Sequence, residues 1–222
     1  MLYGNHRQKH KEQPGGSLIH KLHEGIAEMG LQIPETSINP MLDYLDLLAK
    51  WNRIYNLTAV RKPEQMLTRH LLDSLAVLPF VRPGRIIDVG SGAGLPGIPL
   101  ALAMPDSQFV TLDSNNKKTR FMQQAKSDLG LDNLEVVNLR VEEYQPEELF
   151  DTVVSRAYSS VAGMLEATSH LLKEGGINLA MKGVYPLAEL DSLPEGYEVT
   201  AVEQLHIPQL DADRHVVIMR RK

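Results

Sequence analysis

The chain has 222 residues, and its hydrophobic share of 43% is enough to bury one core. It has no cysteine, which excludes a disulfide framework, a thiolate zinc site, an iron–sulfur cluster and a cysteine nucleophile, and fits a reducing cytoplasm. The net charge of −5 at pH 7 weighs against a uniformly basic nucleic-acid binder. The balance is uneven, however. Residues 1–80 carry nine Lys/Arg against eight Asp/Glu, and residues 81–222 fourteen against twenty.

Residues 1–16 (MLYGNHRQKHKEQPGG) are polar, end in Pro-Gly-Gly and read as a disordered arm, without the charged-then-apolar pattern of a signal peptide. No apolar run reaches the ~20 residues a bilayer span needs, so the expectation is a cytoplasmic protein with no membrane partner. Residues 17–82 read as a helical extension. Leu18, Ile19, Leu22, Ile26 and Met29 form one helical stripe; after breaks at Pro34 and Pro40, Met41, Leu45, Leu48 and Tyr55 form a second. Pro63 opens a third helix, which should run to Pro79.

Beyond Pro83-Gly84 the pattern changes to short β-branched runs at 85–89, 108–112, 134–139, 150–154 and 177–181, separated by helical segments at 95–104, 116–129 and 159–173. This alternation predicts an α/β fold with a mostly parallel, Rossmann-like sheet covered on both faces. Residues 197–205 and 214–220 lack an intervening helix and should close the sheet as an antiparallel hairpin. Residues 83–222 then form a ligand-binding domain, in one compact unit with the extension. The eight histidines are scattered and no metal site is expected.

The segment Asp88-Val89-Gly90-Ser91-Gly92-Ala93-Gly94-Leu95-Pro96-Gly97 stands between a strand and a helix. Glycines there allow a sharp turn and close approach of a nucleotide-like ligand, and the helix start supplies free N–H groups. A dinucleotide fingerprint needs Gly-x-Gly-x-x-Gly, but Leu95 occupies the third glycine's place, which counts against NAD. Asp88 can orient the loop or hold an ammonium, which S-adenosyl-L-methionine has and NAD lacks. Asp113, closing the second strand, can accept both ribose hydroxyls; it could equally cap the helix from Asn116. Val141 and Glu142 follow the third strand and could read an adenine edge, unless Glu142 merely opens a short helix. Arg156 follows the fourth strand and points into the same crevice, free to meet a ligand or to pair with Asp88 or Asp113.

These pieces resemble the bacterial small-subunit ribosomal RNA guanine-N7 methyltransferases, also called the glucose-inhibited division protein B family. The resemblance covers about residues 20–222. It rests on Trp51-Asn52 through Asn56-Leu57-Thr58, Arg69-His70-x-x-Asp73-Ser74, the run Asp88 to Pro99, Ser155-Arg156-Ala157, Lys182-Gly183 and Arg214-His215. It implies a class I S-adenosylmethionine-dependent methyltransferase fold acting on 16S rRNA in the small ribosomal subunit. By motif the implied cofactor contacts are Gly90, Leu95, Val141, Glu142 and Arg156; the loop reading adds Gly92 and Gly94, and the ribose argument Asp113. Arg69, His70, Lys182, Arg214 and His215 are candidates for RNA contact, with ordinary surface charges and satisfied histidines as the alternative. Trp51 and Tyr55 fit helix core better than a stacking platform. Guanine N7 has no proton to lose, so no catalytic base is expected, and a monomer is expected. A small-molecule or protein methyltransferase, or a non-enzymatic RNA-binding module of the same fold, remain the other readings.

Overall fold

A computed structural model of the chain describes residues 17–156, 158 and 160–222. The polar arm expected at 1–16 lies outside the described residues, as does Ala157. Helix α1 (Leu18–Glu28) starts at Ser17, whose side chain accepts from the His20 N–H, and turns Leu22, Gly25 and Ile26 inward. Helix α2 (Ile38–Tyr55) buries Met41, Tyr44, Leu45, Leu48 and Asn52 and ends at Asn56 in the left-handed region, φ 50°. Pro40 is not a break before this helix, as the sequence suggested, but part of its first turn, where a missing N–H costs nothing. Pro63 opens α3 (Pro63–Met66) as expected. The helix then widens into a π-helical turn, Leu67–Leu72, before α4 (Asp73–Leu75). That irregular turn carries Arg69 and His70 and leads directly into Asp73, and such turns are frequent at functional sites.

Seven strands form one sheet: β1 (Arg85–Val89), β2 (Gln108–Leu112), β3 (Leu134–Val137), β4 (Phe150–Ser155), β5 (Leu172–Lys182), β6 (Tyr197–Gln204) and β7 (His215–Arg221), in the order β3-β2-β1-β4-β5-β7-β6. The first five are parallel; β7 runs antiparallel to both β5 and β6. The predicted hairpin therefore folds back so that β7, not β6, joins the parallel sheet. Helices α5 (Gly97–Ala103), α6 (Asn116–Leu129), α7 (Val161–Thr168) and the short α8 (Leu187–Leu190) complete the chain.

Strand alternation divides the core in two. Ile86, Phe109 and Val154 face Leu22, Tyr44, Leu48, Leu71 and Phe121, so the N-terminal helices and the sheet share one apolar cluster. Ile87, Val89, Val110 and Val153 face Val161, Met164 and Leu165 on the other side.

Several boundaries differ from expectation; among them, the third helix ends at Leu75 rather than Pro79. β3 stops at Val137, and the Asn138 side chain donates instead to the Asp113 carbonyl at 3.0 Å. α7 ends at Thr168 rather than 173, because β5 already begins at Leu172. The strand expected at 177–181 begins at Leu172, so Gly175 and Gly176 lie inside β5, where the pairing with β4 shifts register between Phe150 and Thr152.

Candidate cofactor and acceptor site

The strand order reverses between β1 and β4, so their carboxyl ends open a crevice. Every sequence-predicted cofactor residue lies at this end of the sheet. Gly90, Gly92 and Gly94 all have positive φ (71°, 61° and 82°), a backbone path that only glycine follows without strain. The loop is fastened from within. The N–H groups of Gly90 and Ser91 donate to the Leu112 carbonyl, and Ser91 Oγ donates to the Asp88 carbonyl at 2.7 Å. Asp88 is fully buried, and its Oδ2 accepts the Gly97 N–H at the start of α5 at 2.8 Å. Its Oδ1 has no hydrogen-bond partner among the described residues. Burial pushes the Asp88 carboxyl up to about 7, against the pull of the Gly97 N–H and Arg156.

Helix α2 clamps the same loop from outside the sheet. Tyr44 is fully buried and donates its hydroxyl to the Ala93 carbonyl at 2.7 Å. Tyr44→Phe should cost about 1–3 kcal/mol in a thermal or denaturant melt, because a buried carbonyl loses its donor. It should also weaken cofactor binding in calorimetry by loosening the loop. An unchanged affinity would mean the clamp serves packing alone.

Asp113 Oδ2 accepts the Gly92 N–H at 2.9 Å, its Oδ1 accepts the Asn115 N–H at 2.8 Å, and Lys118 Nζ lies 3.6 Å away. It does not cap α6; Asn115 does, accepting from the Lys117 and Lys118 N–H groups. A carboxylate offers about four lone-pair directions, so Asp113 keeps acceptor capacity for hydroxyls. It lines a cleft of 450 Å³ together with Val89, Gly90, Leu112, Val141 and Glu142. Val141 is buried, and exposed Glu142 follows it in a single 3-10 turn, Val141–Glu143, so the short-helix alternative describes its backbone correctly.

A smaller cavity of 150 Å³ adjoins, sharing Gly90 and Lys118 with the cleft and lined also by Thr58, His70, Gly92, Leu95 and Arg156. Arg156 meets neither Asp88 nor Asp113. Its Nη1 donates to Asp73 Oδ2 at 3.1 Å and to the Arg69 carbonyl at 3.4 Å. Arg214 Nε takes the other oxygen of Asp73 at 2.7 Å.

The proposed RNA contacts divide. Arg69 is exposed and Arg214 half-buried at the rim. His70 is buried; its Nε2 lies 2.8 Å from Thr58 Oγ1 and its Nδ1 3.0 Å from the Arg69 carbonyl. Burial and the neighbouring Arg156 push its pKa down to about 4, so it is a neutral wall of the cavity at pH 7, not a cation offered to phosphate. Lys182, with a side chain 12% exposed, is held by Glu189 at 2.8 Å. His215 is buried, with Nδ1 3.1 Å from the Gly183 carbonyl. Trp51 is half-buried and packs on Phe121 at 5.7 Å between ring centroids, which agrees with a core role; Tyr55, 44% exposed, lies outside it. Lys118, Tyr44 and Asp73 belong to the site without having been singled out from sequence. Only Asp73 had a signal, its place in the Arg69-His70-x-x-Asp73-Ser74 motif.

The sheet order, the positive-φ glycine loop and the carboxylate at the end of β2 define an S-adenosylmethionine-dependent methyltransferase. A solved SAM-dependent methyltransferase from Geobacter sulfurreducens, in complex with S-adenosyl-L-homocysteine, has the same fold at a TM-score of 0.53 and 15% identity, covering 80% of this chain and 98% of that one. The family model described as rRNA small subunit methyltransferase G matches residues 37–217, and the chain belongs to that family. Proteins named ribosomal RNA small subunit methyltransferase G are 52% identical over 199 residues in Methylobacillus flagellatus (90% of this chain, 96% of the relative) and 50% identical over 203 residues in Neisseria meningitidis serogroup C (91% and 98%).

Proposed function

We propose that this enzyme methylates N7 of one guanine in the decoding region of 16S rRNA, with the 450 Å³ cleft holding the donor's adenosine and the adjoining 150 Å³ cavity its amino-acid end, beside which the edge of the acceptor base is placed. The observation that carries this reading is the meeting of the two spaces at Gly90 and Lys118, in a chain whose relatives are named for small-subunit rRNA. The glycine loop Gly90, Gly92, Gly94 and Leu95 lies against the donor's amino-acid end, Arg156 faces its carboxylate, Asp113 takes the ribose hydroxyls, and Val141 and Glu142 read the adenine edge. Residues 17–82 and 83–222 work as one unit, as a monomer in the cytoplasm, with the rRNA or small subunit as partner.

S-adenosylmethionine supplies an activated methyl group on a sulfonium, which leaves as a neutral thioether when the N7 lone pair forms the new bond. The protein's part is orientation, an effect of roughly 7–11 kcal/mol when fully realised. N7 carries no proton, so none need be removed. The cavity wall is consistent with that: His70 has both ring nitrogens engaged and a pKa of about 4. A base reached this way must be unstacked, which suits an RNA loop.

Incubation of unmethylated 16S rRNA or small subunits with labelled cofactor should place one methyl on one guanine, detected as a single new break after reduction and aniline treatment. At saturating cofactor the single-turnover rate should change little between pH 6 and 8. A methyl on protein, or on a nitrogen that must first lose a proton, would sink the acceptor assignment.

A further inference from the structure

Where β5 and β7 end side by side, Lys182 is paired in register with His215, and the chain beyond exposes three large apolar side chains: Val184 (77%), Tyr185 (48%) and Leu187 (67%). Two groups in this corner have defined partners. The Tyr185 ring stands edge-on to His215, at 5.5 Å and 89°, and His215 is itself fixed through Nδ1 to the Gly183 carbonyl. The Arg214 guanidinium is fixed by Asp73 through Nε and by the Asp213 carbonyl through Nη1 at 2.8 Å. It lies close along Gly183: a β-carbon there would stand 3.9 Å from Arg214 Nη1. Arg214 Nη2 makes no hydrogen bond among the described residues.

Charge points to the occupant. Asp73 is one carboxylate, 3% exposed, serving two guanidiniums, those of Arg156 and Arg214, with exposed Arg69 beside them. Counting exposed Asp213 next to Arg214, the rim sets three guanidiniums against two carboxylates, in a chain whose net charge is −5. Through Asp73 it is one ion-pair bridge from Arg156, a wall of the 150 Å³ cavity. An exposed aromatic ring against His215, and the guanidinium of the preceding residue lying along Gly183 with a spare N–H edge, fit a nucleotide: base on ring, phosphate on guanidinium. Because Arg214 is already held by Asp73 and the Asp213 carbonyl, little ordering entropy of that side chain opposes binding.

We propose that Tyr185 and Arg214 form a binding site for a nucleotide flanking the methylated guanine, with Tyr185 stacking its base and Arg214 holding its phosphodiester. Asp73 is the positioning residue that sets Arg214. The proposal rests on the RNA reading above and names the part of the strand that the rim grips.

The test is filter binding of unmethylated 16S rRNA to the full chain, beside calorimetry with S-adenosylmethionine and a melt. Tyr185→Ala should weaken RNA binding on the order of 5- to 100-fold with cofactor affinity and melting unchanged, and Tyr185→Phe should restore it. Arg214→Gln should lower the slope of log affinity against log salt by about one. Wild-type RNA affinity in Tyr185→Ala, failure of Tyr185→Phe to rescue, or an equal fall in cofactor affinity would each overturn the site. Mapping of the methyl made by the wild-type enzyme tests the N7 reading separately, since filter binding does not depend on transfer.

Discussion

Gly92→Val should abolish S-adenosylmethionine binding in calorimetry, a loss of more than about 100-fold, while the variant still melts cooperatively at a lower temperature. Gly92 has φ +61°, so a side chain there costs about 1–2 kcal/mol, somewhat more when β-branched. A small domain with the usual 5–15 kcal/mol of stability survives that. Space on the protein side is not the obstacle, because the nearest atom to an added β-carbon is Lys118 Nζ at 4.0 Å. The added atoms enter the cavity itself, where the ligand must approach the backbone. Gly97→Ala is the contrasting control. Its β-carbon would fall 2.6 Å from Thr111 Cγ2 and 2.9 Å from Asp88 Oδ2, so it should lower stability whether or not ligand is present. Normal cofactor binding by Gly92→Val would show that the ligand is not cradled on this loop.

How much of this was legible in sequence depended on whether the determinant was local. Strand and helix order followed from periodicity, and the loop from glycines that a backbone near φ +60° to +80° requires. Residues at the carboxyl ends of strands could be sent to one crevice because a doubly wound topology does so. Partnerships across the fold could not. Asp73 meets Arg156 and Arg214, 83 and 141 positions away, and Tyr44 meets Ala93, 49 positions away; nothing in the spacing encodes these distances. For the same reason Arg156 was offered Asp88 and Asp113 as partners when the carboxylate it meets, Asp73, opens α4 just after the π-helical turn. Whether His70 contacts RNA or is a satisfied histidine stayed open because its burial and its Thr58 partner are tertiary facts. The hairpin was visible in the lack of a helix between its two segments, but which strand joins the sheet depends on contacts of β5.

Cofactor affinity should fall as pH drops from 7 to 5.5, by on the order of 10- to 20-fold, with close to one proton released per ligand bound at pH 6. The cause is Asp88. Its carboxyl is buried, one oxygen accepts the Gly97 N–H and the other has no hydrogen-bond partner among the described residues, and burial raises its pKa from 3.8 to about 7. The shift is upward for an acid, so between those values the folded protein holds a proton that the unfolded chain has lost. Stability without ligand therefore decreases as pH rises through that window, by about 4 kcal/mol at most, and the full penalty remains above pH 7. A ligand ammonium placed at the loop, directly or through water, favours the carboxylate. Binding below pH 7 must then expel the proton, at a cost of about tenfold per pH unit. The other charges acting on the group are Arg156, which favours the carboxylate, and Asp113, which opposes it; His70, with a pKa of about 4, stays neutral between pH 5.5 and 7. Calorimetry in buffers of different ionisation enthalpy measures the proton count directly. Asp88→Asn should flatten the profile and hold affinity near the acid-limb value. If that variant keeps the wild-type pH slope, or no proton leaves at pH 6, Asp88 does not face the ligand's ammonium.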